Sequence, residues 1–297
     1  FFIEYFVCNP ALGGAEPRFG GAGERPSYGM LKVGCWGSDA RQVHGYFGWD
    51  EIIRAIPEMQ CDPAAIEIKY GQGAKPGGGG MLLGQKISDR VANMRNLPKG
   101  IDQRSACRHP DWTGPDDLEI KIMELREITD WEKPIYVKIG ASRPYYDVKL
   151  AVKAGADVIV LDGMQGGTAA TQEVFIEHVG IPILSAIPQA VQALQEMAMH
   201  RKVQLIVSGG IRNGADVAKA MALGADAVAI GTAALIALGD NHPRLDEELK
   251  KIGSAAGYYD DWQNGRDPAG ITTQDPELSK RLDPVEGGRL LSNYLRV

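Results

Sequence analysis

Leu205-Ile206-Val207-Ser208-Gly209-Gly210-Ile211-Arg212-Asn213-Gly214-Ala215-Asp216 is the stretch that decides the fold. A continuous apolar run of strand length enters two glycines, and a helix begins soon after, around Asp216. Glycines let backbone N–H groups approach an anion closely, and a helix N-terminus adds a favourable dipole. The next apolar run ends in the same way, in Ile230-Gly231-Thr232-Ala233-Ala234. Two consecutive glycine turns after the last strands of an α/β domain make the usual phosphate pocket of a barrel. Ser208, Gly209, Gly210, Arg212, Gly231 and Thr232 are therefore the anion-binding candidates.

Working outward, short apolar runs alternate with amphipathic stretches of helical length from about residue 64. The expected strands are Ala65–Tyr70, Pro134–Ile139, Asp157–Asp162, Ile181–Ser185, Val203–Ser208 and Ala227–Ile230. They read as nearly continuous apolar runs, which suits parallel strands covered on both faces. The expected helices are Asp117–Ile128, Tyr146–Ala154, Gln172–Val179, Pro188–Met199, Asp216–Leu223 and Pro243–Gly253. Two junctions, Ala154-Gly155-Ala156-Asp157 and Leu223-Gly224-Ala225-Asp226, close a helix with glycine and launch a strand at once. Glycine-rich turns follow several strands rather than one, which favours a (β/α)8 TIM-type barrel over an open, doubly wound sheet. Weak strand signals at Phe1–Val7 and Met30–Val33 would raise the count to eight. The division expected is an atypical glycine- and aromatic-rich segment at 1–63, the barrel at 64–256 and an irregular, polar tail at 257–297.

Hydrophobic residues make up 44% of the 297 and charged residues 24%, as in an ordinary globular protein with a sizeable core. The formal net charge of -6, without any block of like charge, argues against a nucleic-acid or anionic-membrane surface. Cys8, Cys35, Cys61 and Cys107 are scattered with no CxxC pair, as reduced thiols in a cytoplasmic protein would be. His44, His109, His178, His200 and His242 show no metal-ligand spacing, so no metal is expected. Apolar runs fall well short of the ~18 residues that span a bilayer, and no basic leader precedes them. The chain begins at Phe1, so its natural start is left open.

Three further segments carry chemistry. Asp162-Gly163-Met164-Gln165-Gly166-Gly167-Thr168 follows a buried strand and would let a planar ligand lie against backbone, with Asp162 and Thr168 as polar contacts; Asp162 could instead cap the next helix. In Gly71-Gln72-Gly73-Ala74-Lys75-Pro76-Gly77-Gly78-Gly79-Gly80, six glycines in ten residues carry a large ordering entropy unless a ligand or close backbone contact holds them. Lys75 within it is a compact cation suited to a carboxylate. Lys138 follows Ile135-Tyr136-Val137 in a parallel strand, where the only polar surroundings are those of the site. Gly78 and Arg143 complete the substrate-side candidates.

Taken in order, Gly71-Gln72-Gly73-Ala74-Lys75-Pro76-Gly77, Val137-Lys138, Asp162-Gly163 with Gly166-Gly167-Thr168, Ser208-Gly209-Gly210-Ile211-Arg212 and Gly231-Thr232-Ala233 resemble the FMN domains of glutamate synthases over about residues 64–282. The resemblance implies FMN, with Gln72 and Lys138 near its ring, Asp162 to Thr168 along the ring and ribityl chain, and the two late glycine turns on the phosphate. Lys75 would face the substrate carboxylates. Two features depart from the family: Gly78 stands where glutamate synthases typically have Glu, and the family's early motifs are not recognisable in residues 1–60. A third concerns the iron–sulfur segment, which in the family ends in Cys-Pro-Val-Gly-hydrophobic-Ala-Thr-Gln. Here it reads Asp267-Pro268-Ala269-Gly270-Ile271-Thr272-Thr273-Gln274, placing Asp267, Trp262 and Ala256 where three cluster cysteines would stand. Without thiolates this chain holds no iron–sulfur cluster.

Glutamate synthesis consumes two electrons per turnover, whereas an enzyme whose net reaction needs none can dispense with the cluster. The chain is in this respect similar to the FMN-binding subunit of N-methylglutamate synthases, which convert glutamate and methylamine to N-methylglutamate and ammonia. The resemblance implies two partners, a glutamine-amidotransferase-like subunit and a subunit like the synthase's β-helix domain, in a hetero-oligomer. The competing readings are a glutamate synthase fed with electrons by another subunit, a non-catalytic flavin-binding or scaffold subunit, and a nucleotide dehydrogenase barrel. The last would want a catalytic cysteine loop, and Ser105-Ala106-Cys107-Arg108-His109 is a poor one.

Overall fold

A computed structural model of the chain describes residues 27–34, 62–78, 81–89, 91–92, 98–104, 112, 114–167, 172–255, 265–273 and 275–297. The strands are β1 (Ser27–Gly34), β2 (Asp62–Lys69), β3 (Met81–Leu82), β4 (Gln103–Arg104), β5 (Ile135–Gly140), β6 (Val158–Asp162), β7 (Gln204–Ser208) and β8 (Ala227–Ala229). The helices are α1 (Pro115–Ile128), α2 (Pro144–Lys153), α3 (Glu173–His178), α4 (Ile183–Glu196), α5 (Gly214–Ala222), α6 (Thr232–Ala237), α7 (Asp246–Lys251), α8 (Pro276–Ser279) and α9 (Pro284–Arg296). β3 and β4 form a small antiparallel pair of their own. Six strands make one sheet in the order β1-β2-β5-β6-β7-β8, parallel at every step. That order never reverses. A doubly wound sheet would reverse at a switch point, so the winding is that of a (β/α) barrel. Among the described residues no helix is long and apolar enough to cross a membrane.

Side-chain alternation along the strands separates two apolar clusters. Ile66 and Ile68 of β2, Val137 and Ile139 of β5, Ile159 and Leu161 of β6, and Leu205 and Val207 of β7 pack under the helices in the main core. Ala65, Tyr136, Val158, Val160, Ile206 and Ala229 form a second cluster on the inner face. By the same alternation Glu67, Lys69, Lys138, Asp162 and Ser208 belong to that inner face, so the polar side chains of five positions sit above a small apolar plug.

The two glycine junctions do more than end helices. Gly155 and Gly224 take φ of 99° and 115°, which a side chain would strain. The aspartate two residues on reaches back to the preceding strand each time. Asp157 Oδ2 accepts from the Ile135 N–H at 2.7 Å, and Asp226 Oδ2 accepts from the Leu205 N–H at 2.8 Å. An arginine, Arg126 or Arg201, pairs with the other oxygen. A repeated four-residue word thus sets the register of two βα units.

Two expectations are corrected. Ile181–Ser185 is not a strand; α4 begins at Ile183. Ile183, Ala186, Ile187, Ala190 and Leu194 are buried at helical spacing, and a short apolar run cannot be told from the start of a buried helix by periodicity alone. Pro188, read as the first residue of that helix, lies inside it. The tail expected to be irregular ends in α8 and α9. Two of its Asp-Pro steps, Asp275-Pro276 and Asp283-Pro284, are helix starts: Asp275 Oδ1 accepts from the N–H groups of Glu277 and Leu278, and Asp283 Oδ1 from those of Val285 and Glu286. Proline follows each cap at the first helical position, where it is well tolerated. Of the weak N-terminal signals, Met30–Val33 lies within β1 and joins the sheet through β2, while Phe1–Val7 lies outside the described residues.

Candidate functional site

Asp162, the last residue of β6, ties three loops together at the strand ends. Its Oδ2 accepts from the Gly73 N–H at 2.8 Å, and its Oδ1 from the Ser208 hydroxyl at 2.6 Å. Lys138 Nζ lies 3.9 Å from Oδ2, and Asp162 and Lys138 are each 3% exposed. The carboxylate does not cap the following helix. It fixes the 71–78 loop and the end of β7 on either side of itself, and gives a buried lysine an opposite charge.

Glycine is required where these loops touch. A side chain on Gly73 would run into the Asp162 and Gly163 carbonyls, and one on Gly163 would meet the Ile183 backbone within 2.8 Å. The Ala74 N–H donates to the Gly166 carbonyl at 2.7 Å, and the Gly163 N–H to the Ser208 carbonyl at 2.9 Å. Gly167 lies against Ala74. The glycines of all three loops therefore let backbone meet backbone, the close approach their sequence suggested.

Gln72 and Lys75 belong to one compact turn: the Lys75 N–H donates to the Gln72 carbonyl at 3.2 Å, and the Gly78 N–H to the Lys75 carbonyl at 2.9 Å. Lys75 is 3% exposed, so this turn holds a second buried lysine. Gly78 faces the ring of Phe175, which lies 3.3 Å from where a Cβ would stand. Thr168 lies outside the described residues.

The anion candidates follow at the ends of β7 and β8. Gly209 and Gly210 have φ of 95° and 75°, a left-handed pair that turns successive amides toward one side. Asn213 caps α5 by accepting from the Asp216 N–H at 3.1 Å. Gly231 caps α6, with no atom within 4 Å of the place a Cβ would occupy. The open space beside Gly231 suits a phosphate held by backbone, whereas a side chain on Gly209 would meet the Gly163 and Gly166 backbone and one on Gly210 the Gln165 side chain. Arg212 does not point there: its Nε donates to Asp216 Oδ2 at 3.1 Å, and its side chain is 75% exposed. Arg143 is also placed elsewhere. It pairs with Asp147 at the rim of a cavity of about 370 Å³ walled by Tyr70, Trp112, Leu118, Ile139 and Leu150, on the helix side of the sheet.

Two inner-face residues carry no motif and were missed. Glu67 is 1% exposed and is paired in register with Tyr136, and Lys69 is paired with Lys138. Only the strand parity running from Ala65 could have found them, by counting inward positions 65, 67 and 69.

The C-terminal segment holds a different construction. Asp267 is 1% exposed and its carboxylate is saturated. Oδ1 accepts from the Ala269 N–H at 2.8 Å, and Oδ2 from the N–H groups of Ile271 and Thr272 and from the Thr272 hydroxyl. This aspartate shapes its own turn. No cysteine follows Cys107 in the chain, so the donor set does not fit an iron–sulfur cluster; Ala256 and Trp262 lie outside the described residues. Next to it lies Asp240, also 1% exposed, whose two oxygens find no hydrogen-bond partner among the described residues. Burial first, and then the Asp267 charge, push its carboxyl up to about 6.

The consequence is a pH dependence with a definite sign. The folded protein holds this proton more tightly than an unfolded chain, whose Asp titrates near ~3.9. Stability from this group is therefore greatest below about pH 4 and is lost as pH rises through about 6. Asp240→Asn removes the buried charge, and should raise stability by roughly 2 kcal/mol at pH 8 with little effect at pH 4. Urea denaturation at the two pH values checks it; an equal effect at both would show that the carboxyl does not titrate in this range.

A family model described as a conserved region in glutamate synthase matches residues 42–245. Among curated proteins, the glutamate synthase large subunit-like protein of Rhizobium meliloti (strain 1021) is 81% identical over 78% of this chain and 53% of its own length. The archaeal-type glutamate synthase [NADPH] of Thermotoga maritima is 45% identical over 78% of this chain and 43% of its own. The archaeal glutamate synthase [NADPH] of Methanocaldococcus jannaschii is 44% identical over 85% and 45% respectively. The chain thus spans about half the length of these relatives.

Proposed function

The chain belongs to the glutamate synthase family, and from that premise we propose that it is the FMN-binding catalytic subunit of an N-methylglutamate synthase. The observation that carries the reading is Asp267: a buried carboxylate saturated by its own turn stands where the family places a cluster thiolate. A reaction that needs no electron supply fits that replacement. Glutamate plus methylamine giving N-methylglutamate plus ammonia is redox-neutral overall, whereas glutamate synthesis is a reduction.

FMN bound at this site supplies reversible two-electron oxidation at the glutamate α-carbon. The chain's own residues bind and orient. The amides at Gly209, Gly210 and Gly231, with the Ser208 and Thr232 turns, hold the phosphate. Asp162, Gly163, Gly166 and Gly167 give the ring a backbone floor. Lys138, paired with Asp162, would hold the flavin ring together with Gln72. Lys75 supplies the cation for a dicarboxylate substrate. Burial of both lysines keeps water from weakening those charges. The glutamine-amidotransferase-like and β-helix-like partners, and the cytoplasmic address, belong to the same proposal.

The names of the relatives favour one alternative, an FMN domain that reduces 2-iminoglutarate to glutamate with electrons from another subunit. Turnover separates the two. The purified complex, given glutamate and methylamine under argon with no reductant, should release N-methylglutamate and ammonia in equal amounts. Product that appears only when an electron donor is added would favour the alternative.

A further inference from the structure

Helix α9 runs from the C-terminal end of α6 to the glycine turn after β7. Near its start, Gly287 is buried with Leu238 Cδ2 only 3.3 Å from where a Cβ would stand, so α9 presses on the end of α6, the helix that opens at Thr232. Near its other end the Tyr294 hydroxyl donates to the Arg212 carbonyl at 2.7 Å. Beyond it, Val297 O lies 3.3 Å from where a Cβ on Gly214 would stand, against the first residue of α5. A helix of 13 residues is about 20 Å long, enough to reach from the C-terminal end of α6 to the turn after β7.

Arg212 is the hinge of that contact. Its N–H and Nε both donate to Asp216 Oδ2, which fixes the turn on the side of α5. Its carbonyl belongs to the same short segment as Gly209 and Gly210, and Tyr294 is the group that holds it. A peptide that rotates there swings the preceding amides with it, because both glycines have left-handed φ and no side chain to resist.

We propose that α9 is a strut, braced on the C-terminal end of α6, that sets the glycine turn after β7 for a phosphate, and that Tyr294 is a positioning residue for the FMN phosphate without touching it. This rests on the FMN reading above. The sequence signal is slight: Tyr294 sits in an amphipathic helix far from any glycine motif.

Flavin affinity of the complex, freed of flavin and titrated by fluorescence quenching with FMN and with riboflavin, tests it. Tyr294→Phe keeps the ring packing and removes the hydroxyl alone. FMN should bind about 5- to 10-fold more weakly, the loss expected for one hydrogen bond, while riboflavin affinity stays unchanged. A second variant, Gly287→Leu, forces α9 off α6 and should lower the FMN-to-riboflavin preference in the same direction. Equal weakening of both flavins would mean general damage to the site and overturn the proposal, as would unchanged FMN affinity in Tyr294→Phe. If the unaltered complex binds neither flavin, the FMN reading fails first and the strut has no phosphate to serve.

Discussion

Asp162→Ala should destabilise the protein by about 4 kcal/mol or more, the largest effect expected of any single truncation at the mouth. The side chain is 3% exposed and accepts from the Gly73 N–H and the Ser208 hydroxyl. Alanine leaves both donors buried without it, at about 1–3 kcal/mol each. It also removes the carboxylate 3.9 Å from Lys138 Nζ, and breaking one side of a buried ion pair costs about 3–5 kcal/mol. These terms overlap, so their sum is an upper bound. Asp162→Asn keeps an acceptor and should lose less. Urea unfolding measures both. A loss below about 1 kcal/mol for the alanine variant would show that the three loops are held by their glycine backbone contacts instead.

The second large effect is on turnover. Lys138→Met keeps the length of the aliphatic stem, and the stem's packing in β5 should survive. Asp162 retains two neutral donors but loses its counter-charge, a stability loss of about 3–5 kcal/mol, so the comparison is made on folded, flavin-loaded protein. The lost positive charge is buried and preorganised at the site, and removal of one such group typically lowers kcat by about 10²–10³-fold. Steady-state rates with equal flavin content in both proteins give the comparison. A variant within about threefold of the parent would remove Lys138 from the chemistry and leave it only as the partner of Asp162. Loss of the flavin itself would instead make Lys138 a binding residue.

Much of the fold was legible because local words have local causes. Ala154-Gly155-Ala156-Asp157 and Leu223-Gly224-Ala225-Asp226 announce helix end, turn and strand start, and the aspartates then lock the strand beside them. The Gly209-Gly210 pair has a local cause too: both take positive φ, which glycine alone adopts without strain. Ile181–Ser185 failed because five apolar residues look alike in a strand and in the first turns of a buried helix. The polar tail was expected to be irregular, yet Asp275-Pro276 and Asp283-Pro284 each open a helix.

The site was legible along its motifs and opaque across them. The segment reading found Asp162 but not its two donors, Gly73 and Ser208, one of them 89 residues away. Arg143 and Arg212 look like anion ligands by type, yet each is taken by the aspartate four residues later in the chain. Asp240 and Asp267 meet although α7 lies between them in the chain, and neither residue hints at the other. Glu67 and Lys69 required the inner face of β2 to be known. Contacts made by topology are the ones a linear pattern does not carry.

The most direct measurement is the visible absorbance of the anaerobic, oxidised complex on addition of glutamate alone. An internal redox cycle predicts that the flavin band bleaches with no other reductant present. The colour should then return on addition of oxoglutarate and methylamine, with N-methylglutamate formed in proportion. A flavin that glutamate leaves untouched and only an external donor reduces would contradict the cycle and make this chain a glutamate-forming domain, and a complex with no flavin band would remove the cofactor on which both readings depend.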